Sequence, residues 1–351
     1  MKNKHNNTTY INNNIKKCRN TRKHIDTKDS IKKHSGARGA NKIVNWRAYN
    51  EGLVNRGRIS IWIDKLILES HQTLPKSHRR GHPKEYSDGL ILLALTLKEM
   101  FHLTLRSTEG FIKDILKFSG LTCSTPDYST LCRRGGTLRI PIRHTTKFNQ
   151  ESIHLLVDST GIKVMGEGEW KIRLHGKNKM KLYRKVHLVV DYASREILGL
   201  TMSDANCQDA DAVPELLDDM QSLDAHILPT VSSLIADGAY DYQKTYRLTN
   251  NLGIPLIAPP EARAIIRHDD PVWKLRNQYV KDCQKLGKEK WKDQVGYYRR
   301  NIVENTMFRL KRSFTDEMRA RKDTSQLTTM RIRANLLNYF AELGLPRYQL
   351  A

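Results

Sequence analysis

Residues 297–311 read YYRRNIVENTMFRLK, a stretch without glycine or proline. Its apolar residues Val303, Met307 and Leu310 recur at the spacing of one α-helical stripe, so the stretch predicts a helix with a buried face. At 100° per residue, a sector of roughly 60° beside that stripe collects four polar residues. These residues are Tyr297, Arg300, Glu304 and Lys311.

A surface ion pair accounts for part of this pattern. Arg300 and Glu304 stand at i, i+4, and such a pair contributes only about a few tenths of a kcal/mol. Taken alone, the helix favours that interpretation, because most charged stripes are solvated faces. The full spacing Tyr-x2-Arg-x3-Glu-x6-Lys, however, resembles the C-terminal signature of bacterial insertion-sequence transposases of the DDE type. That resemblance implies two further carboxylates upstream, carried on strands.

Two upstream stretches each end in an aspartate. Apolar and β-branched runs precede Asp158 and Asp237, and such runs predict strands of a buried sheet. The remaining predicted elements are strands over 185–191, 196–202 and 254–258 and helices over 208–223 and 242–252. This β-β-β-α-β-α-β order is that of an RNase-H-like mixed α/β sheet, in which the first and fourth strands lie side by side.

Asp158, Asp237 and Glu304 supply the ligand type that phosphodiester chemistry requires. Two Mg²⁺ ions about 3.5 to 4 Å apart can activate the nucleophile and stabilise the leaving oxygen, and Mg²⁺ is held by a few carboxylates. The transposase resemblance implies that Asp158 bridges both ions while Asp237 and Glu304 each complete one side, with Mn²⁺ able to substitute. Because they share the helix sector of Glu304, Arg300 and Lys311 are expected to face phosphates near the cut and Tyr297 to stack or hydrogen-bond there. The resemblance implies that Lys311 contacts the transposon end.

Each aspartate alone also has a local alternative, since aspartates beside turns often serve the turn. Asp191 ends the second predicted strand before a turn, and Asp241 is predicted to be the N-cap of the following helix. The histidines His154, His175 and His187 are predicted to be core or surface residues rather than ligands.

The charge balance indicates a polyanionic partner. Lys and Arg outnumber Asp and Glu by 60 to 37 in 351 residues, giving a formal charge of +23, which points to nucleic acid. The longest apolar run, 90–95, is far shorter than the ~18 residues of a membrane span, so no membrane partner is expected. Five scattered cysteines without a Cys-x2-Cys pair indicate a reducing cytoplasm, and the resemblance implies a bacterial, nucleoid-associated protein.

The N-terminal part is predicted to contain an arm and a helical domain. Residues 1–44 are polar and basic and cannot form a core, so a flexible arm is expected; a role along DNA phosphates and no role at all remain equally open. Residues 45–143 predict a helical DNA-binding domain. Its candidate helices cover 59–70, 87–101, 105–118 and a short segment after Asp127.

The last two of these helices suggest a helix-turn-helix arrangement. The turn contains Gly120 and the second helix ends in Arg133 and Arg134, which are the expected DNA contacts. Any helical bundle can show the same spacing. The stretches 45–50, 55–57, 105–110 and 126–131 nevertheless resemble the N-terminal half of the insertion-sequence family numbered five.

Residues 150–345 complete the prediction as an RNase-H-like DDE catalytic domain with a short basic connector at about 261–295. The resemblance implies a transposase that binds the terminal inverted repeats of its element, cleaves double-stranded DNA and joins it to target DNA, acting as a homo-oligomer. Two alternatives stay open from the residues alone: an inactive DNA-binding descendant, and an RNase-H-like nuclease without strand transfer.

Overall fold

The computed structural model describes residues 42–60, 62, 85–120, 124–144, 153–164, 183–222 and 227–349. The predicted arm except for residues 42–44, most of the predicted helix 59–70, and His175 lie outside these residues. The chain divides into two compact units, Arg47–Leu345 and a small unit of Met1–Trp46 with Pro346–Ala351. In the small unit the strands Lys42–Ile43 and Tyr348–Gln349 pair antiparallel.

The N-terminal part of the large unit is helical. Its helices are α1 (Trp46–Arg56), α2 (Asp88–Met100), α3 (Leu105–Phe118) and α4 (Tyr128–Gly135). Ser87 Oγ accepts a hydrogen bond from Leu90 N at 2.9 Å and caps α2, and Asp127 caps α4 in the same way. Gly120, at φ +73°, follows α3. The predicted starts and ends of α2 and α3 are therefore confirmed, because capping groups and a left-handed glycine fix them.

A mixed sheet forms the centre of the large unit. Its strands are β1 (Ile153–Val164), β2 (Tyr183–Asp191), β3 (Ile197–Asp204), β4 (Val231–Ile235), β5 (Leu256–Ile257) and β6 (Glu317–Met318). Their order is β3-β2-β1-β4-β5, with β6 paired to the far end of β1. The first three strands are antiparallel and the next two join parallel. The predicted RNase-H-like order is confirmed.

Helices cover both faces of this sheet. They are α5 (Val213–Gln221), α6 (Gln243–Asn251), α7 (Lys274–Leu286), α8 (Lys288–Gln294), α9 (Asn301–Phe314) and α10 (Asp323–Glu342). Successive residues of a strand point to opposite faces, so Leu155 and Leu156 of β1 enter two different cores. The core around Leu155 includes α5 and α6, and the core around Leu156 includes α9 and α10.

The core around Leu156 also contains the N-terminal helices. Ile91 of α2 is buried in the same cluster as Leu336 of α10. A buried ion pair joins the same two helices, from Arg333 Nε to Glu99 Oε2 at 2.8 Å. In the described residues, no break in packing marks the boundary predicted between residues 143 and 150.

The segment 261–295, which the sequence marks only as a basic connector, contains α7 and α8. It buries Trp273 and Trp291 completely or nearly so, and the ring centroid of Trp273 lies 5.8 Å from that of Tyr246 on α6. Its lysines occupy the solvent side of helices whose aromatic residues pack inward. Among the helices that the structure describes, none is long and apolar enough to cross a membrane.

Candidate active site

The parallel pairing of β1 with β4 brings Asp158 and Asp237 to the same region of the sheet. Leu156 is in register with Ile235, and each aspartate follows its paired residue by two positions. The strand does not end at Asp158 as the sequence suggests; β1 continues to Val164, because β2 and β6 supply pairing partners beyond β4. Asp158 is therefore an internal residue of the central strand.

Local hydrogen bonds orient the two aspartates. Asp158 Oδ1 accepts from Ser159 N at 2.8 Å, and its side chain is 14% exposed. Asp237 is half-buried, and its Oδ1 accepts from Ala239 N at 2.9 Å. In this way Asp237 caps the short 3-10 helix Gly238–Tyr240.

Helix α9 carries the third carboxylate. Val303 and Met307 are buried in the core that also contains Leu156, so the helix lies against the sheet with Glu304 in its first turn. The Glu304 side chain is 51% exposed. The preceding turn, Tyr297–Arg300, is a 3-10 helix, so the α-helix begins four residues later than the sequence predicts.

Arg300 connects two of the carboxylates. Its Nη1 donates to Asp158 Oδ2 at 2.7 Å, and its Nη2 donates to Glu304 Oε1. Burial raises the pKa of Asp158, Arg300 opposes that shift, and Asp237 and Glu304 add to it. Burial lowers the pKa of Arg300, but Asp158 and its other anionic neighbours outweigh burial and raise it. The three carboxylates therefore influence one another electrostatically, with Arg300 as their counter-ion.

The other two residues of the predicted sector differ in their surroundings. The ring of Tyr297 lies between two cations, 5.8 Å from Lys292 Nζ and 6.0 Å from the Arg300 guanidinium carbon. Burial is the main cause of its raised pKa. Lys311 is half-buried and lies two helical turns beyond Glu304. The structure thus brings Tyr297, Arg300 and Glu304 together and places Lys311 further along the same helix.

Tyr240 is a neighbour of the site that the sequence reasoning missed. It is fully buried, and within the described residues its hydroxyl has no hydrogen-bond partner. Burial raises its pKa, and the charges of Asp209, Asp158 and Asp237 act in the same direction. The one sign in the sequence that Tyr240 lies near the site is its position three residues after Asp237.

Asp191 and Asp241, the two aspartates for which the sequence predicts local roles, both have structural roles. Asp191 Oδ2 accepts from Ser194 N at 2.7 Å, so its predicted turn role is confirmed. The predicted N-cap role of Asp241 is wrong: Tyr242 precedes α6, and Asp241 forms a buried ion pair with Arg276 instead.

Two of the three histidines considered in the sequence, His154 and His187, are described by the structure, and both pair with serines of neighbouring strands. His154 Nδ1 lies 2.8 Å from Ser233 Oγ, and His187 Nε2 lies 2.8 Å from Ser203 Oγ. His154 is half-buried and His187 is buried.

A family model described as "Transposase DDE domain" matches residues 149–339, which is more than half of the chain. A second model with the same description matches residues 54–167. The chain belongs to the DDE transposase family. The first match contains Asp158, Asp237 and Glu304, and the family implies a divalent metal ion as cofactor.

The transposase is also similar to solved Mos1 transposase complexes. A chain of a pre-cleavage Mos1 transpososome is 10% identical, with 80% of this chain and 86% of that chain covered and a TM-score of 0.22. A chain of the Mos1 Strand Transfer Complex is 11% identical, with 69% and 81% covered and a TM-score of 0.22. At these TM-scores the assignment of the fold rests on the sheet order described above.

The carboxylate oxygens of Asp158, Asp237 and Glu304 are donor atoms that suit a divalent metal, but the Arg300 side chain is bonded to two of these residues. In the described part of the transposase, no three His, Cys, Asp or Glu side chains are arranged closely enough to hold a metal ion together. Asp158 and Glu304 nevertheless share one cation, the Arg300 guanidinium. Carboxylate oxygens are the ligands that Mg²⁺ and Mn²⁺ prefer. The carboxylates therefore fit the ion in the chemistry of their donor atoms, while in this structure the Arg300 guanidinium is the cation bound by Asp158 and Glu304.

The paired arginines of α4 face different surroundings. Arg133 is exposed. The Arg134 side chain is 15% exposed and bonds to Asp88 and, at 3.1 Å, to Tyr86 O, so it fixes α4 to the start of α2. The connection from α3 to α4 covers residues 119–127, which is longer than the three to four residues of a helix-turn-helix turn.

Proposed function

We propose that Asp158, Asp237 and Glu304 are the catalytic carboxylates with which this transposase cleaves and joins DNA. The observation that carries the proposal is the shared counter-ion: Arg300 bonds to both Asp158 and Glu304. The charge of Asp237, which lies just after the neighbouring strand β4, raises the pKa of Asp158. The three residues come from distant parts of the chain, and Arg300 joins two of them directly. Gathered carboxylates repel one another, so bringing them together costs stability unless a cation lies among them.

The three carboxylates would hold two Mg²⁺ ions, or Mn²⁺ in their place. When bound, the ions activate a water or hydroxyl nucleophile and neutralise charge on the leaving oxygen. Arg300 would bind phosphate beside these carboxylates, and Lys311 and Tyr297 would contact the DNA backbone near it. The basic chain attracts and positions the DNA.

The DNA substrates are the terminal inverted repeats of the transposase's own element and a target duplex. Arg133, on the exposed side of α4, contacts phosphate in this proposal, whereas Arg134 acts by orienting α4. Two ends must be joined to one target, so the active form contains at least two chains. Membership of insertion-sequence family five is part of the same proposal and is supported by the N-terminal sequence stretches.

The test is cleavage and joining of a duplex copied from the DNA end that borders the gene, with Mg²⁺ or Mn²⁺. Glu304→Gln removes one charge with almost no change of shape, and Asp316→Asn provides the matched control, since Asp316 is exposed just beyond α9. We expect the unaltered protein and Asp316→Asn to cut and join. Glu304→Gln binds the duplex but yields neither product.

Three outcomes contradict parts of the proposal. Equal activity of Glu304→Gln and the unaltered protein refutes the role of Glu304. Binding without reaction by the unaltered protein with either metal refutes catalysis and leaves a DNA-binding descendant. Cleavage without joined product leaves a nuclease.

A further inference from the structure

The catalytic helix α9 has an exposed face next to Glu304, which we call the outer face. It consists of Asn301, Asn305, Phe308 and Arg312, all exposed. At 100° per residue, these residues lie roughly 40° to 100° around the helix from Glu304. Phe308, one turn after Glu304, is 60% exposed. A large aromatic ring is thus held in solvent beside the proposed catalytic carboxylate.

A groove extends this face toward the sheet. It has a volume of about 420 Å³, and its lining includes Tyr192, Asp293, Arg299, Asn301 and Asn305. The guanidinium of Arg299 lies over the Tyr192 ring at 5.2 Å. Rings, amides and a stacked guanidinium are the side chains that contact nucleic-acid bases rather than phosphates alone.

Charge identifies the partner of the outer face. Arg299, Lys311 and Arg312 lie on or beside it, while Glu304 is the one acidic residue of α9 and Asp293 the one acidic residue among those that line the groove. A cationic helix face favours a polyanion over a second copy of this chain, whose formal charge is +23. If Glu304 acts on a phosphodiester, as proposed above, side chains one turn away on the same surface reach the same DNA.

The side-chain types select a base pair. An α-helix fits the major groove of DNA, where asparagine pairs with the N6 and N7 atoms of adenine and phenylalanine packs on the thymine methyl group. Asn305 and Phe308 are three residues apart, a rise of about 4.5 Å along the helix. That rise is comparable to the base spacing of about 3.4 Å along a strand, so the two side chains can reach neighbouring bases.

We infer that the outer face of α9 reads A·T sequence next to the cleaved phosphodiester, with Asn305 bound to an adenine and Phe308 packed on a thymine methyl group. This inference rests on the proposed function, because that function places Glu304 against the DNA. It makes α9 both the helix that carries a catalytic carboxylate and the helix that checks the terminal bases of the element.

Atom-level changes in the DNA test the inference. The full chain is titrated, with Ca²⁺ in place of Mg²⁺, against duplexes copied from the element's end in which single thymines are replaced by deoxyuridine or single adenines by 7-deazaadenine. We expect one thymine at which loss of the methyl group weakens binding by about fivefold or more. In Phe308→Ala the same replacement has no effect, and in Asn305→Ala the effect of one 7-deazaadenine is lost.

Phe118→Ala is the matched control, since Phe118 is an exposed phenylalanine on α3, 87% exposed. It retains the deoxyuridine effect. The inference is overturned if the deoxyuridine effect is absent, or is equal in Phe308→Ala and the unaltered protein. It is also overturned if Phe308→Ala changes only the mass of the protein in sedimentation, because the face then binds a second copy.

The catalytic proposal is judged separately. Cleavage without base discrimination defeats the present inference alone, and discrimination without cleavage in Mg²⁺ or Mn²⁺ defeats the catalytic proposal alone. Failure to bind the duplex at all defeats both.

Discussion

Removal of Arg276 leaves a buried carboxylate without its counter-ion. Arg276 Nε donates to both oxygens of Asp241, at 2.9 and 3.1 Å, and the two side chains are only 6% and 4% exposed. The guanidinium also lies 5.2 Å from the ring of Trp273. The pair joins α7 to the loop that follows Asp237, so the substitution Arg276→Met acts close to the candidate site while touching none of its carboxylates.

The expected loss of stability is about 3 to 5 kcal/mol, the range for breaking a buried ion pair by removing one partner. Most of that cost is the uncompensated charge of Asp241. Adding Asp241→Asn to Arg276→Met removes this charge, so the double variant is expected to recover more than half of the loss. The non-additivity identifies the ion pair as the cause.

Urea unfolding followed by tryptophan fluorescence measures these differences, and pH provides an internal check. Burial raises the pKa of Asp241 even with Arg276 present. A carboxyl with a raised folded-state pKa contributes stability below its unfolded pKa and loses that contribution as pH rises through the folded one. Without Arg276 the pKa rises further, so the cost of Arg276→Met is smallest in acid and grows toward neutral pH.

Two results would refute this reasoning. One is a loss below about 1 kcal/mol for Arg276→Met, the scale of an exposed ion pair. The other is a double variant no more stable than the single one, which would assign the loss to packing of the Arg276 stem instead of to charge.

Further predictions concern helix ends and glycines, each measured by urea or thermal unfolding. Ser87→Ala removes the cap of α2 and costs about 1 kcal/mol; no loss would mean that Asp88 caps in its place. Gly120→Ala costs about 1 to 2 kcal/mol because Gly120 has φ +73°. Gly110→Ala, within α3 and with open space around an added Cβ, instead stabilises by about 0.5 to 1 kcal/mol; opposite signs from those expected would contradict both. Gly52→Ala places a Cβ 2.5 Å from Leu343 O and costs about 1 to 3 kcal/mol, and an unchanged melting temperature would show that α1 shifts freely.

Local patterns predicted the sheet and its aspartates because burial and periodicity are local properties. The alternation of Leu155 and Leu156 between two cores and the spacing of Val303 and Met307 on α9 follow from the sequence. The sector around Glu304 correctly grouped Arg300 with it, and the structure adds that Arg300 also binds Asp158. The i, i+4 ion pair and the catalytic interpretation are therefore compatible.

The misses involve partners distant in the chain. Asp241 has an N-cap position by sequence, but Arg276, 35 residues later, binds it. Because of its lysines, segment 261–295 was predicted to be a connector, whereas it forms two helices. The burial of Trp273, Tyr279 and Val280 was not predictable, because it depends on contacts with distant residues, such as that between Trp273 and Tyr246. Neither partner can be found from a window of local sequence.

The packing of α2 against α10 has a consequence for synthesis. Ile91 is buried in the same core as Leu336, and the Glu99 carboxylate pairs with Arg333. In each case the partner is synthesised more than two hundred residues later. At a translation rate of about 5 to 20 residues per second, the ribosome needs roughly ten to fifty seconds to synthesise the residues between α2 and α10. During that time the early helices lack their final contacts. A chain that stops before α10 therefore leaves its first helices without part of the core in which they are buried.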